Sequence, residues 1–252
     1  MATPTAYQRA AEAIGSGRHV VAFTGAGISV ESGIPAFRGA GGLWDKYDPE
    51  SLEIHFFLRN PEASWRVIRE VFYETFDKAE PNAAHRALAE LENRGLLKAV
   101  ITQNIDNLHQ RAGSRAVVEF HGNSRTLLCV GCAETYEASE TDLRELPPTC
   151  RACGAILKPD FVFFGEPISH QAYARAFLEA ERADVLLVIG TTGEVMPAAL
   201  VPRIAKSRGA TLIEINPAES NFTRQITDIF IEAKAAEALP RLLKALPAAR
   251  PE

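Results

Sequence analysis

His19-Val-Val-Ala-Phe23 is a short apolar run, and Thr24-Gly-Ala-Gly-Ile-Ser29 follows it directly. A continuous apolar run of this length predicts a strand that is buried on both faces, as in parallel sheets. Glycines directly after such a strand let the backbone approach a phosphate, and a helix start there offers N–H donors. The third glycine of a full dinucleotide fingerprint is missing, and no acidic residue ends an obvious second strand. A phosphate-binding turn and a plain structural turn therefore both stay open at this point.

Five further apolar runs predict strands, and helices are predicted between several of them. Residues 84–91 and 173–180 carry apolar side chains at positions i, i+3, i+4 and i+7, the spacing of one helix face. The further strands are predicted at residues 98–102, 116–120, 185–189, 211–215 and 228–231. Because strands that alternate with helices are typical of parallel pairing, the sequence predicts an α/β fold with a doubly wound parallel sheet.

Two segments interrupt this alternation, and we predict that together they form a small domain. Residues 39–80 begin with a glycine-rich loop and continue as an aromatic-rich helical segment. Residues 121–160 contain all four cysteines and little helical periodicity. The large domain is then predicted to consist of residues 1–38, 81–120 and 161–252. No long flexible linker separates the segments, so we expect the two domains to pack together around a cleft.

The cysteines occur as two pairs, Cys129-x-x-Cys132 and Cys150-x-x-Cys153, with 17 residues between the pairs. This spacing is typical of a zinc ribbon, in which two tight turns supply four thiolates to one tetrahedral ion. Four sulfur ligands leave no open position for water, so the predicted zinc is structural. The alternatives are four unrelated core cysteines or a redox Cys-x-x-Cys, and the paired spacing in a polar segment disfavours both.

Composition and charge are those of an ordinary globular protein. Hydrophobic residues make up 46% of the 252 residues and charged residues 23%, which is enough for a sizeable core. The formal net charge of −5 creates no basic field, so we expect no direct nucleic-acid binding and no attraction to anionic membranes. The longest aliphatic runs are too short to cross a bilayer, and the first residues do not resemble a secretory signal. We therefore expect a cytoplasmic protein without disulfides.

A longer segment around the glycine-rich turn, Gly25-Ala-Gly-Ile-Ser-Val-Glu-Ser-Gly-Ile-Pro-Ala-Phe-Arg38, resembles the NAD-binding signature of the sirtuin family. Further motifs similar to those of the family follow in the same order along nearly the whole chain. They are Thr102-Gln-Asn-Ile-Asp106, Leu108-His109, His121-Gly122, the four cysteines, Lys158-Pro-Asp-Phe-Val-Phe-Phe-Gly-Glu166, Gly190-Thr191, Val195-Met-Pro-Ala198 and Ile215-Asn-Pro217. The resemblance implies a Rossmann-like NAD-binding domain into which a small helical and zinc-ribbon domain is inserted.

The resemblance also implies an activity, the NAD-dependent removal of acyl groups from lysine side chains of proteins or peptides. In this reaction the amide oxygen of the acyl-lysine attacks the anomeric carbon of the nicotinamide ribose, and nicotinamide leaves. A ribose hydroxyl then attacks the resulting imidate, so that the acyl group ends on ADP-ribose. NAD is the implied co-substrate, and one structural zinc ion per chain is the implied metal.

Three residues of these motifs are candidates for catalysis. The resemblance implies that His121 is the base for the ribose hydroxyl, since it follows a predicted strand and exchanges a proton near neutral pH. Asn104 is expected to bind the ribose or orient a water, and Asp106 to accept a hydrogen bond from the nicotinamide carboxamide. Outside this context a lone histidine is more often structural, and Asp106 before an apolar stretch is a common helix N-cap.

The implied cofactor and substrate contacts come from several predicted strand ends. Arg38 suits bidentate contact with a phosphate, and Phe37 is either an apolar lid or an ordinary core residue. Thr192 stands where the family usually has serine, and it keeps the hydroxyl. Residues 162–166 are expected to form a strand that pairs with the peptide backbone. The implied NAD contacts are Gly25, Ala26, Gly27, Ile28, Pro35, Phe37, Arg38, Gln103, Asn104, Ile105, Asp106, His121, Gly190, Thr191, Thr192, Val195, Asn216, Pro217, Lys234 and Ala235, and the substrate contacts are Val162, Phe163, Phe164, Gly165 and Glu166.

The same resemblance leads to an expectation about the acyl group. Sirtuins that prefer acidic acyl groups carry a Tyr-x-x-Arg pair on the helix shortly before the Pro-Asn-x-x-His segment. The corresponding residues here are Tyr73 and Phe76, so no arginine of this pair neutralises a distal carboxylate. We therefore expect acetyl and other neutral acyl groups to be better substrates than succinyl or malonyl groups. A one-turn shift of this helix would instead bring Arg69 to the acyl tip.

Other functions are compatible with an NAD cleft. Mono-ADP-ribosyl transfer to protein would use the same cleft, and a nucleotide-sensing module would bind without turnover. The combination of His121, Asn104 and Asp106 argues against pure binding, which does not require these residues. A conventional dehydrogenase is the least favoured alternative, because no segment resembles a hydride-transfer substrate domain.

Overall fold

The structure, a computed structural model, describes residues 4–37, 41–76 and 78–246. Within these residues the strands are β1 (Val20–Thr24), β2 (Leu97–Thr102), β3 (Val117–Glu119), β4 (Gly122–Cys129), β5 (Thr135–Glu137), β6 (Leu157–Phe161), β7 (Val185–Ile189), β8 (Thr211–Asn216) and β9 (Ile229–Glu232). The α-helices are α1 (Ala6–Ser16), α2 (Ile54–Arg59), α3 (Pro61–Ile68), α4 (Glu74–Phe76), α5 (Ala83–Asn93), α6 (Leu108–Arg111), α7 (His170–Arg182), α8 (Leu200–Ser207) and α9 (Ala235–Ala245). A π-helical turn, Arg69–Tyr73, joins α3 to α4. None of the described helices combines the length and the apolar character needed to span a membrane.

A parallel sheet forms the centre of the molecule. In the described part of the chain it has six strands in the order β3-β2-β1-β7-β8-β9, and every neighbouring pair is parallel. The direction of the strand order reverses between β1 and β7. This is the strand order of the Rossmann fold, in which ligands bind in the crevice outside the carboxyl ends of the strands at the reversal.

Helices cover both faces of the parallel sheet, which explains why its strands are continuous apolar runs. Helices α1, α5 and α9 pack on one face around side chains such as Ile14, Leu88 and Leu239. Helices α7 and α8 cover the other face with small residues such as Ala176 and Ala205. Every residue of β1 and β7 is buried, as expected for strands between two helical layers. The predicted doubly wound sheet is confirmed, and its predicted strands differ from the observed ones by at most one residue at either end.

The inserted segments form the small domain. Among the described residues, β4, β5 and β6 make an antiparallel sheet in the order β5-β4-β6. The helical part and this sheet share one apolar core, which contains Phe57, Trp65 and Phe72 from the helices and Leu127 and Leu157 from the strands. The indole N–H of Trp65 donates to the Leu157 carbonyl at 2.8 Å and so links the two parts directly. The inserted domain is confirmed, whereas the boundaries given for it above stay a prediction.

Candidate active site

A cleft of about 870 Å³ opens at the carboxyl ends of the parallel strands, where the strand order reverses. Its volume lies in the upper part of the range for small-molecule and cofactor sites. The turns after β1, β2, β7 and β8 and the segment after β6 form its wall, so most of the predicted contacts come together there. The predicted residues that line the cleft are Gly25, Ala26, Gly27, Phe37, Gln103, Asn104, Ile105, His121, Val162, Phe163, Phe164, Gly165, Glu166, Gly190, Thr191, Thr192, Val195, Asn216, Pro217, Lys234 and Ala235.

Four of the predicted NAD contacts are not among these lining residues. Ile28 is fully buried in the core of the parallel sheet, so its side chain supports the glycine-rich turn from inside, and its contact with NAD stays a prediction. Pro35 and Asp106 are described by the structure but do not line the cleft. Arg38 lies outside the described residues.

The turns after β1 and β7 meet in the cleft through two glycines. The Gly27 N–H donates to the Gly190 carbonyl at 2.9 Å. A Cβ on Gly27 would lie 2.6 Å from the Gly190 Cα, which is closer than packing allows. Gly190 has a φ of +62°, in the left-handed region that favours glycine. The two backbones form a floor of the cleft without side chains, and close packing of the turns against each other is enough to require glycine at both positions.

His121 lies between β3 and β4 and lines the cleft. Its Nδ1–H donates to the Gln103 carbonyl at 3.0 Å. This bond fixes the tautomer in which Nε2 is the proton acceptor. Burial lowers the pKa of the His121 imidazole, and the bond to Gln103 opposes that shift. The ring is therefore neutral at pH 7 and can accept a proton at Nε2.

Asn104 and Asp106 belong to one buried polar network behind the cleft wall. The Ser29 hydroxyl donates to Asp106 Oδ2 at 2.6 Å, and Asn104 Nδ2 donates to Ser29 Oγ at 3.2 Å. Asp106 Oδ1 accepts from the Leu108 N–H at 3.0 Å, at the start of α6. The N-cap residue of α6 is Asn107, so Asp106 is not the N-cap itself but accepts a bond from the first N–H of the helix. Burial raises the pKa of the Asp106 carboxyl, and the bond from Ser29 opposes that shift.

Ser29 is a member of this network that the sequence analysis did not assign. Its hydroxyl contacts Asp106 and Asn104 and lies 3.5 Å from Nε2 of His85, a second buried histidine. Ser29 is part of the quoted glycine-rich motif, so a signal was present in the sequence. Its burial, which leaves it 1% exposed, follows from the meeting of β1, β2 and α5 and not from its neighbours in the chain.

The predicted substrate segment, residues 162–166, lines the cleft but is not a strand. The Phe163 N–H donates to the Glu166 carboxylate at 2.8 Å. The Phe164 N–H donates to the Leu52 carbonyl at 2.9 Å. A side chain and a neighbouring loop thus take backbone groups that a strand would offer to a peptide. Residues 162–166 thus form no strand of their own, since Phe164 makes only an isolated parallel bridge with Glu53, and the pairing of this segment with a peptide stays a prediction.

The side of the cleft that faces the small domain is apolar. Leu52, Phe72 and Ile105 line it, together with Phe161 and Phe163. The rings of Phe161 and Phe163 stack with centroids 4.9 Å apart. Phe72 belongs to the π-helical turn, a type of irregularity that is frequent at functional sites. This surface suits an uncharged ligand group.

The polar groups of the neighbouring helix are held away from this apolar side. The Tyr73 hydroxyl donates to the Ser124 carbonyl at 2.9 Å. Arg69 Nη1 donates to the Leu143 carbonyl at 3.2 Å, and Arg69 Nε lies 3.4 Å from the Glu74 carboxylate. Neither Tyr73 nor Arg69 lines the cleft. The one-turn shift that would bring Arg69 to the acyl tip is thus not the arrangement observed.

The four cysteines come together at one end of the small sheet. Their Sγ atoms all lie within 4.8 Å of one another, and the Cys129–Cys153 and Cys132–Cys150 sulfur pairs are 3.4 and 3.6 Å apart. Tetrahedral zinc with thiolate ligands separates its sulfurs by about 3.8 Å, so the set fits one zinc ion. The Tyr136 hydroxyl lies 3.2 Å from Sγ of Cys150, one of the predicted zinc ligands. This contact supports the ligand from outside the metal site, and the sequence did not reveal it.

We expect purified protein to contain one zinc ion per chain and the Cys150→Ala variant to lose it. Cys150 is buried in the core of the small domain, so loss of the metal should unfold or aggregate that domain. The binding free energy of structural zinc, about 10 kcal/mol or more in zinc-finger peptides, is folding free energy. Metal analysis and thermal unfolding measure both effects. Val130→Ala, at a 46% exposed position of the same turn, is the matched control and should keep its zinc. A stable, active and zinc-free Cys150→Ala protein would contradict this prediction.

The fold and the cleft together define a class, the α/β enzymes that bind a nucleotide at the reversal of a parallel sheet. Residues 25–197 match the model of the Sir2 family. NAD-dependent protein deacylase 2 of Pyrobaculum aerophilum is 50% identical to this chain, and the match covers 93% of each sequence. The chain therefore belongs to the Sir2 family of NAD-dependent protein deacylases, which use NAD as co-substrate.

Solved structures of the family are similar over nearly the whole chain. A complex of a Sir2 homologue with NAD has a TM-score of 0.88 and 43% identity, and the match covers 94% of this chain and 92% of that one. A Sir2 variant with a deacetylated p53 peptide and 3′-O-acetyl ADP-ribose has a TM-score of 0.90 and 36% identity, over 95% of this chain and 99% of that one.

Proposed function

We propose that this chain transfers the acyl group of an acylated lysine, in a protein or peptide, to ADP-ribose with release of nicotinamide from NAD and with consumption of one water, which releases the lysine amine. The observation that carries this proposal is the neutral imidazole of His121 in the wall of a nucleotide cleft. Nucleotide binding alone requires no base, whereas activation of a ribose hydroxyl does. The related Sir2 structure with a deacetylated peptide and an acetylated ADP-ribose supports an acylated peptide as the second substrate.

The proposed roles of the polar residues follow from the bonds that each one already makes. His121 Nε2 takes the proton of a ribose hydroxyl while its Nδ1–H stays on the Gln103 carbonyl. Asn104 keeps its amide nitrogen on Ser29 and on the Gly25 carbonyl. Its Oδ1 is then the atom that we assign to a ribose hydroxyl or an ordered water.

Asp106 is proposed to act through its neighbours. Its carboxylate bonds to Ser29 and Leu108, and it does not line the cleft. We therefore assign to Asp106 the orientation of Asn104, through the hydroxyl of Ser29 that both residues contact.

The opposite half of the cleft is proposed to bind the ADP part of NAD. The backbone floor at Gly27 and Gly190 admits the phosphates, and Thr192, which lines the same cleft, is assigned to them as well. Asn216 Nδ2 donates to the Thr191 carbonyl at 2.9 Å, so its Oδ1 is the atom that we assign to the adenosine ribose. Pro217, Lys234 and Ala235 line the wall on the same side, and we assign them to the adenine.

Phe37 is proposed to be an apolar lid that excludes water from the reacting carbon. Its ring lines the cleft and packs on Trp44, with centroids 5.4 Å apart, and on Phe72 at 6.5 Å. The ring is thus held by the apolar core of the small domain on one side and faces the cleft on the other. Exclusion of water at this point protects a reactive sugar carbon from hydrolysis.

Two expectations about the environment of the protein stay proposals. A net charge of −5 disfavours direct binding to nucleic acid. A cytoplasmic location suits four thiolates that act as metal ligands, because thiols are kept reduced there.

Nicotinamide release that depends on an acylated peptide tests the proposed function. Protein is incubated with NAD and either an acetyl-lysine peptide or the same peptide unmodified, and the products are followed by mass spectrometry. We expect equal amounts of nicotinamide, free lysine peptide and O-acetyl-ADP-ribose with the acetylated peptide, and no turnover with the unmodified one.

The same assay separates the alternative functions. An unmodified peptide that gains the mass of ADP-ribose would identify mono-ADP-ribosyl transfer. NAD binding without nicotinamide release from any acylated peptide would identify a nucleotide-sensing module. Either result would contradict the proposed deacylase activity.

A further inference from the structure

Lys158 has a buried side chain, 7% exposed, which is rare for a lysine. Its Nζ donates to the carbonyls of Pro159 and Phe161 at 3.0 and 2.8 Å, and to Glu166 Oε2 at 3.0 Å. These bonds use all three donors of the ammonium. The Phe163 ring covers the group, with its centroid 4.4 Å from Nζ. Residues 158–166 therefore fold around the charged group of their own first residue.

Glu166 closes this loop from its other end. Its Oε2 accepts the bond from Lys158 and also the Phe163 N–H at 2.8 Å. Burial lowers the pKa of Lys158, and the carboxylate of Glu166 opposes that shift. Lys158 is the buried partner and Glu166 is partly exposed, so removal of Glu166 takes away the counter-charge that Lys158 contacts directly and leaves Asp160 as the other carboxylate that acts on it.

The ion pair also explains why β6 ends where it does. The Phe161 carbonyl points to Nζ of Lys158, and the Phe163 N–H points to the Glu166 carboxylate. The N–H of Val162, the first residue after β6, donates to the His121 carbonyl at 2.9 Å. The loop is thereby attached to the backbone of the proposed base on one side and forms the wall of the cleft on the other.

We propose that Lys158 and Glu166 are positioning residues for the acylated peptide, because their ion pair holds residues 162–165 in the shape that receives it. Lys158 itself does not line the cleft, so it acts through the loop. The nucleotide floor at Gly27 and Gly190 belongs to the turns after β1 and β7 and does not depend on this pair. The inference rests on the proposed deacylase function and adds to it the groups that shape the peptide side of the cleft.

The test compares Lys158→Met, Glu166→Gln and the double variant with the wild-type protein. For each single variant we expect the KM for the acetylated peptide to rise by about tenfold, because a displaced loop loses part of its binding energy for the peptide and each 1.4 kcal/mol is about tenfold in affinity. The Kd for NAD should stay within about twofold, because the floor is untouched. The double variant should resemble the single ones, since the two residues act as one unit.

A purely stabilising role would give a different result. Partial unfolding lowers the amount of active enzyme, so the apparent kcat falls while both KM values stay unchanged. The double variant keeps the test valid if a single variant does not fold, because it leaves no lone buried charge. Lys98→Met, the same substitution at an exposed lysine of β2, is the matched control and should leave all constants unchanged.

Two outcomes would overturn the inference. The first is a peptide KM within about twofold of wild type in the folded double variant. The second is a Kd for NAD that rises in parallel with the peptide KM, because the pair would then shape the whole cleft. A third result would instead contradict the proposed deacylase function. In that case the wild-type protein would release nicotinamide from NAD without requiring an acylated peptide, which differs from both outcomes above.

Discussion

The His121→Ala variant should deacylate peptides at least about a hundredfold more slowly than the wild-type protein, because loss of a general base costs about two to four orders of magnitude. NAD binding should persist, since the ring contacts the Gln103 carbonyl and not the nucleotide floor. Isotope exchange of free nicotinamide with NAD should be less affected, because the proposed base acts after nicotinamide has left. Single-turnover product formation, nicotinamide exchange and a calorimetric Kd for NAD separate these steps.

The His121→Gln variant is the control for a structural role. A glutamine amide can donate to the Gln103 carbonyl as Nδ1 does, but it cannot accept a proton from a hydroxyl. Both variants should therefore be slow if His121 is the base. An alanine variant with unimpaired turnover, or a glutamine variant that restores it, would assign His121 a structural role.

The pH dependence of turnover provides a further check on the same residue. Burial lowers the pKa of His121 below the ordinary value of 6.5, so the neutral form that accepts a proton predominates at pH 7 and above. Turnover should fall as the pH decreases through that lowered pKa, because the protonated ring is no longer a base. A wild-type profile that falls instead as the pH rises through neutrality would contradict this assignment.

The kcat/KM for an acetylated peptide should exceed that for the succinylated peptide of the same sequence by about a hundredfold or more. A succinyl carboxylate would be placed against Leu52, Phe72 and Ile105. In the described part of the chain Lys234 is the one lysine or arginine that lines the cleft, and it lies on the side assigned to adenine. An unpaired buried carboxylate costs several kcal/mol, and each 1.4 kcal/mol is about tenfold.

A gain-of-function variant controls the acyl prediction. Phe76 packs on Phe72, with ring centroids 5.5 Å apart, and corresponds to the arginine of sirtuins that prefer acidic acyl groups. The Phe76→Arg variant should raise the ratio of succinyl to acetyl turnover, because it adds a cation near the apolar side. Equal or better succinyl turnover by the wild-type protein would show that the cleft holds a cation at the acyl tip.

The parallel sheet and the zinc site could be predicted because their signals are local in the sequence. A strand between two helical layers is apolar at every position, and β7 was predicted with its observed bounds, Val185–Ile189. The zinc ligands of a ribbon lie in two tight turns, so their spacing is fixed by short-range geometry. The resemblance implied NAD contacts after β1, β2, β3, β7 and β8, and these positions line one cleft because the carboxyl ends of parallel strands share one edge.

The parts that could not be predicted depend on side chains from distant elements. Residues 162–166 have the composition of a strand, but their N–H groups bond to the His121 and Leu52 carbonyls and to the Glu166 carboxylate, and not to a neighbouring strand. Asp106 has the residue type for a ligand contact and for a helix cap alike. The orientation of its carboxylate depends on the hydrogen bond from Ser29. Ser29 lies 77 positions away in the chain, and the sheet brings the two residues together.

Gly27 and Gly190 limit how this cleft can evolve toward another nucleotide. A Cβ on Gly190 would lie 2.5 Å from the Ile28 nitrogen, and a Cβ on Gly27 would meet the Gly190 Cα. Neither position accepts a larger residue unless β1 and β7 separate, so single mutational steps are blocked at both. A directed-evolution library should keep this pair fixed and diversify Asn216 and Lys234, where side chains can change without moving a strand. Clones recovered from such a library should differ along that wall and retain both glycines.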